Sequence, residues 1–234
     1  MSFEEERDGF LAGKVLLFDK PINWTSFNLV KKVKNLIRNR FNIQKIKVGH
    51  AGTLDPLATG LLLVCTGKAT KTIQQLQEMQ KEYIATIHLG KTTPSYDLET
   101  EVDQVFDTTS ITREKVTEAV NSFIGEFEQV PPMFSAKNIN GQRAYKLARK
   151  GQVRELKPSK VVISDIEILD FNMPDLRIRV VCSKGTYIRA LARDIGISLG
   201  NGAYLSNLIR TKIGDYQVDN ALTIEEFEKS LKLM

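Results

Sequence analysis

The residues that could do chemistry crowd into one stretch, Val48-Gly-His-Ala-Gly-Thr-Leu-Asp-Pro-Leu-Ala-Thr-Gly60. Thirteen positions hold three glycines, a proline, one of the two histidines and a single carboxylate, Asp55. Proline fixes its own φ and biases the residue before it towards extended backbone, so Asp55 belongs on a stiff turn rather than inside a helix. The apolar run Leu61-Leu62-Leu63-Val64 follows as a short buried strand. A carboxylate on a rigid turn beside a core strand can be aimed with little entropy to lose, which suits a nucleophile or a base. The same residues also fit a plain turn in which Asp55 only caps the backbone.

Other chemistries find less support. His50 and His88 share no ligand spacing with Cys65 or Cys182, and no C-x-x-C occurs, so neither a structural nor a catalytic metal is expected. Both cysteines sit in apolar runs and read as buried free thiols. Gly67-Lys-Ala-Thr-Lys-Thr72 fails as a phosphate loop. Leu62 stands where its first glycine is needed, and Ala69 stands where Ser or Thr must follow the lysine.

Charge is segregated. The net charge is only +5, but Lys31 to Lys47 carries seven cations and no acids. Lys137 to Lys160 carries eight cations against Glu155, and Arg177 to Arg193 carries five and no acids. Asp97 to Glu128 holds nine acids against two cations. Three basic runs point to a polyanion as partner, although any one of them alone could be a solvated face. No apolar run approaches the roughly 20 residues of a membrane span, and the acidic N-terminus lacks the form of a signal peptide. A cytoplasmic protein is the expectation.

Those residues need a scaffold, and the pattern predicts one. Gly13 to Pro21 reads as a strand ending at a turn. Trp24-Thr-Ser26 caps a helix with Phe27, Val30, Val33 and Ile37 inside and Lys31, Lys32, Lys34 and Arg38 outside. Ala69 to Met79 reads as a helix. Lys81 to Gly90 alternates as a strand with Tyr83, Ala85, Ile87 and Leu89 on one face. A helix capped by Thr112 ends at Gly125. Gln129 to Gly151 is a basic, proline-bearing segment with little regular pattern. Two strands flank the Asn172–Asp175 turn, Ser183 to Arg189 leads into a helix, and two strands and a capping-box helix at Thr223 complete the chain. Helices and strands mix without a βαβ repeat, so the fold class is α+β with a mostly antiparallel sheet in one domain, 1–234.

GHAGTLDPLATG resembles the catalytic loop of the TruB family of tRNA pseudouridine synthases. Further segments extend the resemblance: Asp19-Lys-Pro-Ile-Asn-Trp-Thr-Ser26, with Asn23 in place of the family's glycine; Lys81-Glu-Tyr83; Gln129-Val-Pro-Pro-Met-Phe-Ser-Ala136; and Cys182-Ser-Lys-Gly-Thr-Tyr-Ile-Arg189. Asp97-Leu-Glu-Thr100 departs from the family's D-x-x-G, which leaves Asp97 without an assigned role.

The resemblance implies a cofactor-free isomerisation of uridine 55 in the T loop of tRNA. It makes Asp55 the catalytic carboxylate, Arg189 its charge partner, and Tyr83 the ring that stacks on the flipped uracil and stands near its C5 proton. Tyr187 and Leu208 would complete the pocket wall, His50 would fill the gap left by the flipped base, and Lys71 would contact a phosphate. The segment 129–151 would be a thumb-like RNA grip. The family's additional C-terminal RNA-binding PUA domain is not expected here. A monomer acting on the tRNA elbow without a guide RNA is expected. A guide-dependent subunit, a non-catalytic RNA binder and an aspartyl-phosphate enzyme are the competing readings.

Overall fold

The structure, a computed structural model, describes every residue except Met1, Ala136, Asn140, Lys150, Val153, Arg154, Glu155, Leu233 and Met234. The chain forms two compact units, Met1–Tyr83 with Ile209–Met234, and Ile84–Leu208.

The first unit opens with α1 (Phe3–Ala12), whose Ser2 and Glu5 form a capping box. β1 (Val15–Lys20) follows, then α2 (Ser26–Phe41), β2 (Val48–His50) and β3 (Thr59–Thr66). A 3-10 turn (Gly67–Thr72) leads into α3 (Ile73–Glu78), so the helical stretch after β3 is split where a single helix was expected. β4 (Lys81–Leu89) begins here and continues in the second unit.

β3 is the spine. It pairs antiparallel with β1, from Val15 opposite Cys65 to Lys20 opposite Gly60, and on its other edge antiparallel with β2, from Val48 opposite Thr66 to His50 opposite Val64. Its apolar run is buried on both faces. Leu62 and Val64 join Phe10, Phe18, Val33, Ile37 and Phe41 in one core cluster, while Leu61, Leu63 and Cys65 join Leu76 and Ile213 in another. A strand covered on both sides needs apolar residues at every position, which is why the run does not alternate.

α2 is capped by the Thr25 side chain, which accepts from the Asn28 N–H, and closed by Asn42 in the left-handed region. It buries Leu29, Val30, Val33, Ile37 and Phe41. Phe27, expected inside, is 68 % exposed. The buried stripe takes in Leu29, Val30, Val33, Ile37 and Phe41, and Phe27 lies outside it.

The second unit contains the rest of β4, then β5 (Lys91–Thr92), β6 (Gln104–Val105), α4 (Arg113–Asn121) and β7 (Gly125–Gln129). Gly125, expected to end the α4 helix, instead opens β7 at φ +111°. Next come β8 (Asn138–Ile139), β9 (Gln142–Arg143) and the short α5 (Ala144–Ala148), then the long hairpin of β10 (Ser159–Asn172) and β11 (Asp175–Cys182). β10 also pairs antiparallel with β7. α6 (Ile188–Ser198) packs its Ile188, Leu191, Ala192 and Ile195 inside, and β12 (Ala203–Ile213) leads back to the first unit.

There β12 runs parallel to β3, with Ile209 opposite Thr59 and Arg210 opposite Gly60, and turns into β13 (Tyr216–Gln217). α7 (Ile224–Lys232) closes the chain on its predicted capping box, the Glu226 N–H donating to Thr223 Oγ1 at 3.1 Å. The architecture is α+β with a mixed, mostly antiparallel sheet. No helix among the described residues is long and apolar enough to cross a membrane.

Candidate active site

Asp55 lies in neither helix nor strand and is half-buried. Its turn is held through the backbone on either side of it. Ser26, at the start of α2, accepts from the Leu54 N–H at 2.9 Å and donates to the Leu54 carbonyl at 3.2 Å. The Asn23 N–H donates to the Pro56 carbonyl at 2.8 Å, and the Ala58 N–H donates to Asp55's own carbonyl at 3.1 Å. The Thr-Ser pair thus divides its work: Thr25 caps the helix and Ser26 clamps the loop. Asn23 makes its contact from the left-handed region, at φ +66°. This explains how an asparagine replaces the family's glycine, because asparagine tolerates that conformation better than other side chains.

Two buried cations support the same turn. Lys20 has no exposed surface, and its ammonium donates to the carbonyls of Trp24 (2.7 Å), Pro21 (3.0 Å) and Pro56 (3.4 Å). Burial pulls its pKa down to about 8; the charges of Asp55 and Asp19 pull it up and that of Arg210 pulls it down. Arg210, 1 % exposed, donates to the carbonyls of Leu61 (2.8 Å) and Gly52 (3.1 Å). Its strand approaches β3 so closely that a Cβ on Gly60 would sit 2.3 Å from the Arg210 carbonyl oxygen. Gly60 therefore has to be glycine, and its N–H is taken by Asp19 at 3.0 Å.

His50, at the end of β2, is half-buried, and its Nδ1 has no hydrogen-bond partner among the described residues. Burial first, and the Arg210 charge second, hold its pKa below the usual imidazole value. Tyr83 lies on the buried face of β4 with Lys81, Ala85, Ile87 and Leu89, as the alternation predicted. Lys71 is exposed on the 3-10 turn.

The second unit presents Tyr187, Arg189 and Leu208. Gln129, 1 % exposed, holds Tyr187 by both backbone groups: its Oε1 accepts from the Tyr187 N–H at 2.8 Å and its Nε2 donates to the Tyr187 carbonyl at 3.2 Å. Arg189 is 3 % exposed in the first turn of α6. Its Nη1 donates to the Ser95 carbonyl (3.1 Å) and its Nη2 to the Phe134 carbonyl (2.9 Å). Its Nε lies 3.4 Å from an Asp97 carboxylate oxygen. A cation at a helix start is disfavoured by the helix dipole and calls for an acidic neighbour, and Asp97 is one. Thr100, standing in the family's glycine position, accepts from the Ser95 N–H at 3.1 Å. Leu208 is buried in β12.

Four supporting residues were not legible as such in the sequence: Lys20, Ser26, Asp97 and Arg210. Lys20, Ser26 and Asp97 lie in motif segments, and that was the available signal. Arg210 resembles any strand cation.

The basic runs fare unevenly. In the third run Arg179 is paired with Asp165 (2.5 Å) and Glu167 (3.0 Å), and Arg189 is buried, so these charges serve the protein itself. In the second, Arg149 pairs with Glu99 at 2.6 Å. Lys150 and Arg154 of that run lie outside the described residues, as does the Lys146 side chain. Among the described residues no group of three His, Cys, Asp or Glu is arranged to hold a metal ion.

Comparison with known proteins fits this arrangement. A profile for the TruB family pseudouridylate synthase N-terminal domain matches residues 38–188, and one for the tRNA pseudouridylate synthase B C-terminal domain matches 189–234. The chain is 57 % identical over 222 residues to tRNA pseudouridine synthase B of Phocaeicola vulgatus, covering 95 % of this chain and 94 % of that one. It is 53 % identical over 224 residues to the same enzyme of Flavobacterium johnsoniae, covering 95 % and 98 %. Among solved structures, a chain in a Cbf5-Nop10-Gar1 complex superposes with a TM-score of 0.71 at 28 % identity over 98 % of this chain, which spans 56 % of that one. With two family profiles covering all but the first 37 residues and relatives above half identity along nearly the whole length, the chain belongs to the TruB family of tRNA pseudouridine synthases.

Proposed function

We propose that the uridine this synthase isomerises is position 55, in the T loop of tRNA, and that Asp55 is the group that starts the reaction. In pseudouridine formation the N1–C1′ bond breaks, the base turns, and C5 bonds to C1′. The C5 proton leaves and N1 gains one, so no electron or group is imported. Asp55 acts as nucleophile or base at C1′ or C6. Arg189 is its charge partner, Tyr83 stacks on the extruded uracil near its C5 proton, and Tyr187 and Leu208 wall the pocket. His50 fills the gap in the RNA stack, and Lys71 meets a phosphate. The segment 129–151 adds phosphate contacts that give affinity, while the folded shape of the T arm gives selection. The protein acts as a cytoplasmic monomer without cofactor or guide RNA.

The observation that carries this reading is the clamped turn. Ser26, Asn23 and Lys20 all bond to the two residues that flank Asp55, so its carboxylate is aimed by backbone that cannot drift. The test is tritium release from tRNA labelled at uridine C5. Asp55→Asn should lower release by at least about 10³-fold while tRNA binding persists, and substantial residual turnover would remove Asp55 from its role. A T-arm transcript with cytidine at position 55 should give no product; modification mapped elsewhere would overturn the assigned position.

A further inference from the structure

The charge pattern of α2 is not used by the site just described. Between Asp19 and Asp55 the chain has no acidic residue. Several of its cations are already engaged: Lys20 is buried, Lys32 pairs with Glu228 at 3.5 Å, and Arg40 donates to the Leu231 carbonyl at 2.6 Å. Lys31 and Lys34 have no ion pair among the described residues. Arg38 gives only its Nε, to the Ile43 carbonyl that closes the helix. Phe27, Lys31, Lys34 and Arg38 follow one another at spacings of four, three and four, the repeat of a single helix face. That face flanks the buried one, about 100° around the helix, with Phe27, Lys31 and Arg38 exposed and Lys34 half-buried on it.

The stripe begins at the clamp. Phe27 is the residue after Ser26, and Ile22, 54 % exposed, is the residue before Asn23. Both large apolar side chains are therefore presented to solvent next to the groups that hold Leu54 and Pro56. An exposed aromatic leading a row of cations fits single-stranded or splayed RNA, where a ring stacks on a base and cations follow the backbone. Two apolar side chains are too small an area for a stable protein interface. The row from Phe27 to Arg38 is about 16 Å long at 1.5 Å per residue, long enough to follow a short run of phosphates.

We propose that the exposed face of α2, Phe27-Lys31-Lys34-Arg38, is an RNA track, with Phe27 stacking on a nucleotide beside the Asp55 turn and the cations following the phosphates away from it. This rests on RNA being the substrate but not on uridine 55 being the target.

The experiment measures binding of a tRNA transcript across a salt series, with single-turnover tritium release at saturating enzyme as the second readout. Lys31→Gln/Lys34→Gln should weaken binding roughly tenfold and lower the salt slope by about 1.5, with single-turnover release at saturation unchanged. Phe27→Ala should weaken binding about fivefold or more, and Phe27→Trp should restore it. Because Phe27 is mostly exposed, unfolding midpoints should not move. Lys115→Gln/Lys229→Gln removes two exposed charges elsewhere and is the control. Equal weakening in control and stripe variants, an unchanged salt slope, or a Phe27→Trp protein no better than Phe27→Ala would overturn the track. If these binding effects appear while the wild type makes no pseudouridine at position 55, the track stands and the uridine-55 reading falls.

Discussion

Asp55 and Arg189 are held in opposite ways. Asp55 belongs to an irregular turn, and the turn is fixed by other residues bonding to its neighbours' backbone. Arg189 belongs to a regular helix, is almost wholly buried, and does the holding itself, gathering the carbonyls of Ser95 and Phe134 beside the carboxylate of Asp97. The contrast follows from the two functional groups. A carboxylate in the role proposed for Asp55 must leave its oxygens accessible, so its precision has to come from the chain around it. A guanidinium has five donors in a rigid fork and can tie several segments together while presenting its charge. Lys20 and Arg210 use the second strategy to serve the first: both are buried cations spent on carbonyls of the Asp55 region.

Four measurements would break or sharpen that contrast. The largest effect belongs to Asp97→Ala, which leaves Arg189 buried without this partner. Breaking such a pair costs about 3–5 kcal/mol, visible as a lower urea midpoint. A loss under about 0.5 kcal/mol would mean that Asp97 is not part of the Arg189 anchor, since that is the size of an ordinary surface change.

Lys20 comes next, through pH. Its pKa is about 8 in the folded protein and 10.5 when unperturbed. Between these values the unfolded chain binds more protons, so stability rises with pH there. The cost of burying the ammonium, about 3 kcal/mol, is fully present below pH 8 and gone above 10.5. Denaturation of wild type and Lys20→Met at matched pH should show the wild type gaining on the variant across that window. A constant difference would show that Lys20 is not a buried cation.

Ser26→Ala removes both bonds to Leu54 and should cost about 1–3 kcal/mol. Its more telling effect is on kcat, which should fall while tRNA affinity holds, because the loop is loosened and not the RNA surface. Parallel losses in kcat and affinity would count against the clamp.

Asn23 gives the smallest change. Asn23→Gly should be neutral within about 0.5 kcal/mol, whereas Asn23→Ala should cost about 1 kcal/mol for forcing an ordinary side chain to positive φ. Equal stability of the two variants would contradict the left-handed geometry.

Much of the positioning machinery was legible in the chain. The unbroken run Leu61–Val64 marked a short buried strand, and Thr25, Thr112 and Thr223 marked helix starts that the structure contains. The alternation of Lys81–Leu89 put Tyr83 on the buried face. α1 was missed although its Ser2–Glu5 capping box was there to be read, because its short amphipathic pattern is weak and its burial comes from Phe10 meeting Phe41 and Phe227. Phe27 was misplaced because several registers of the α2 stripe fit the apolar pattern, and packing chose the one starting at Leu29.

By itself the sequence determined the family, the α+β class, the stiff turn at Asp55 and the residues able to react, since those depend on residue type and local spacing. Only the tertiary structure decided which cations are spent inside and which remain at the surface without an ion pair among the described residues. Arg179, Arg189 and Arg210 are as charged on paper as Lys31 and Lys34, but a cation's role is set by the carbonyls and carboxylates that distant parts of the chain bring to it. The same holds for Ser26 and Asn23, whose value lies in reaching Leu54 and Pro56, a contact that exists only once β1 and β3 have paired.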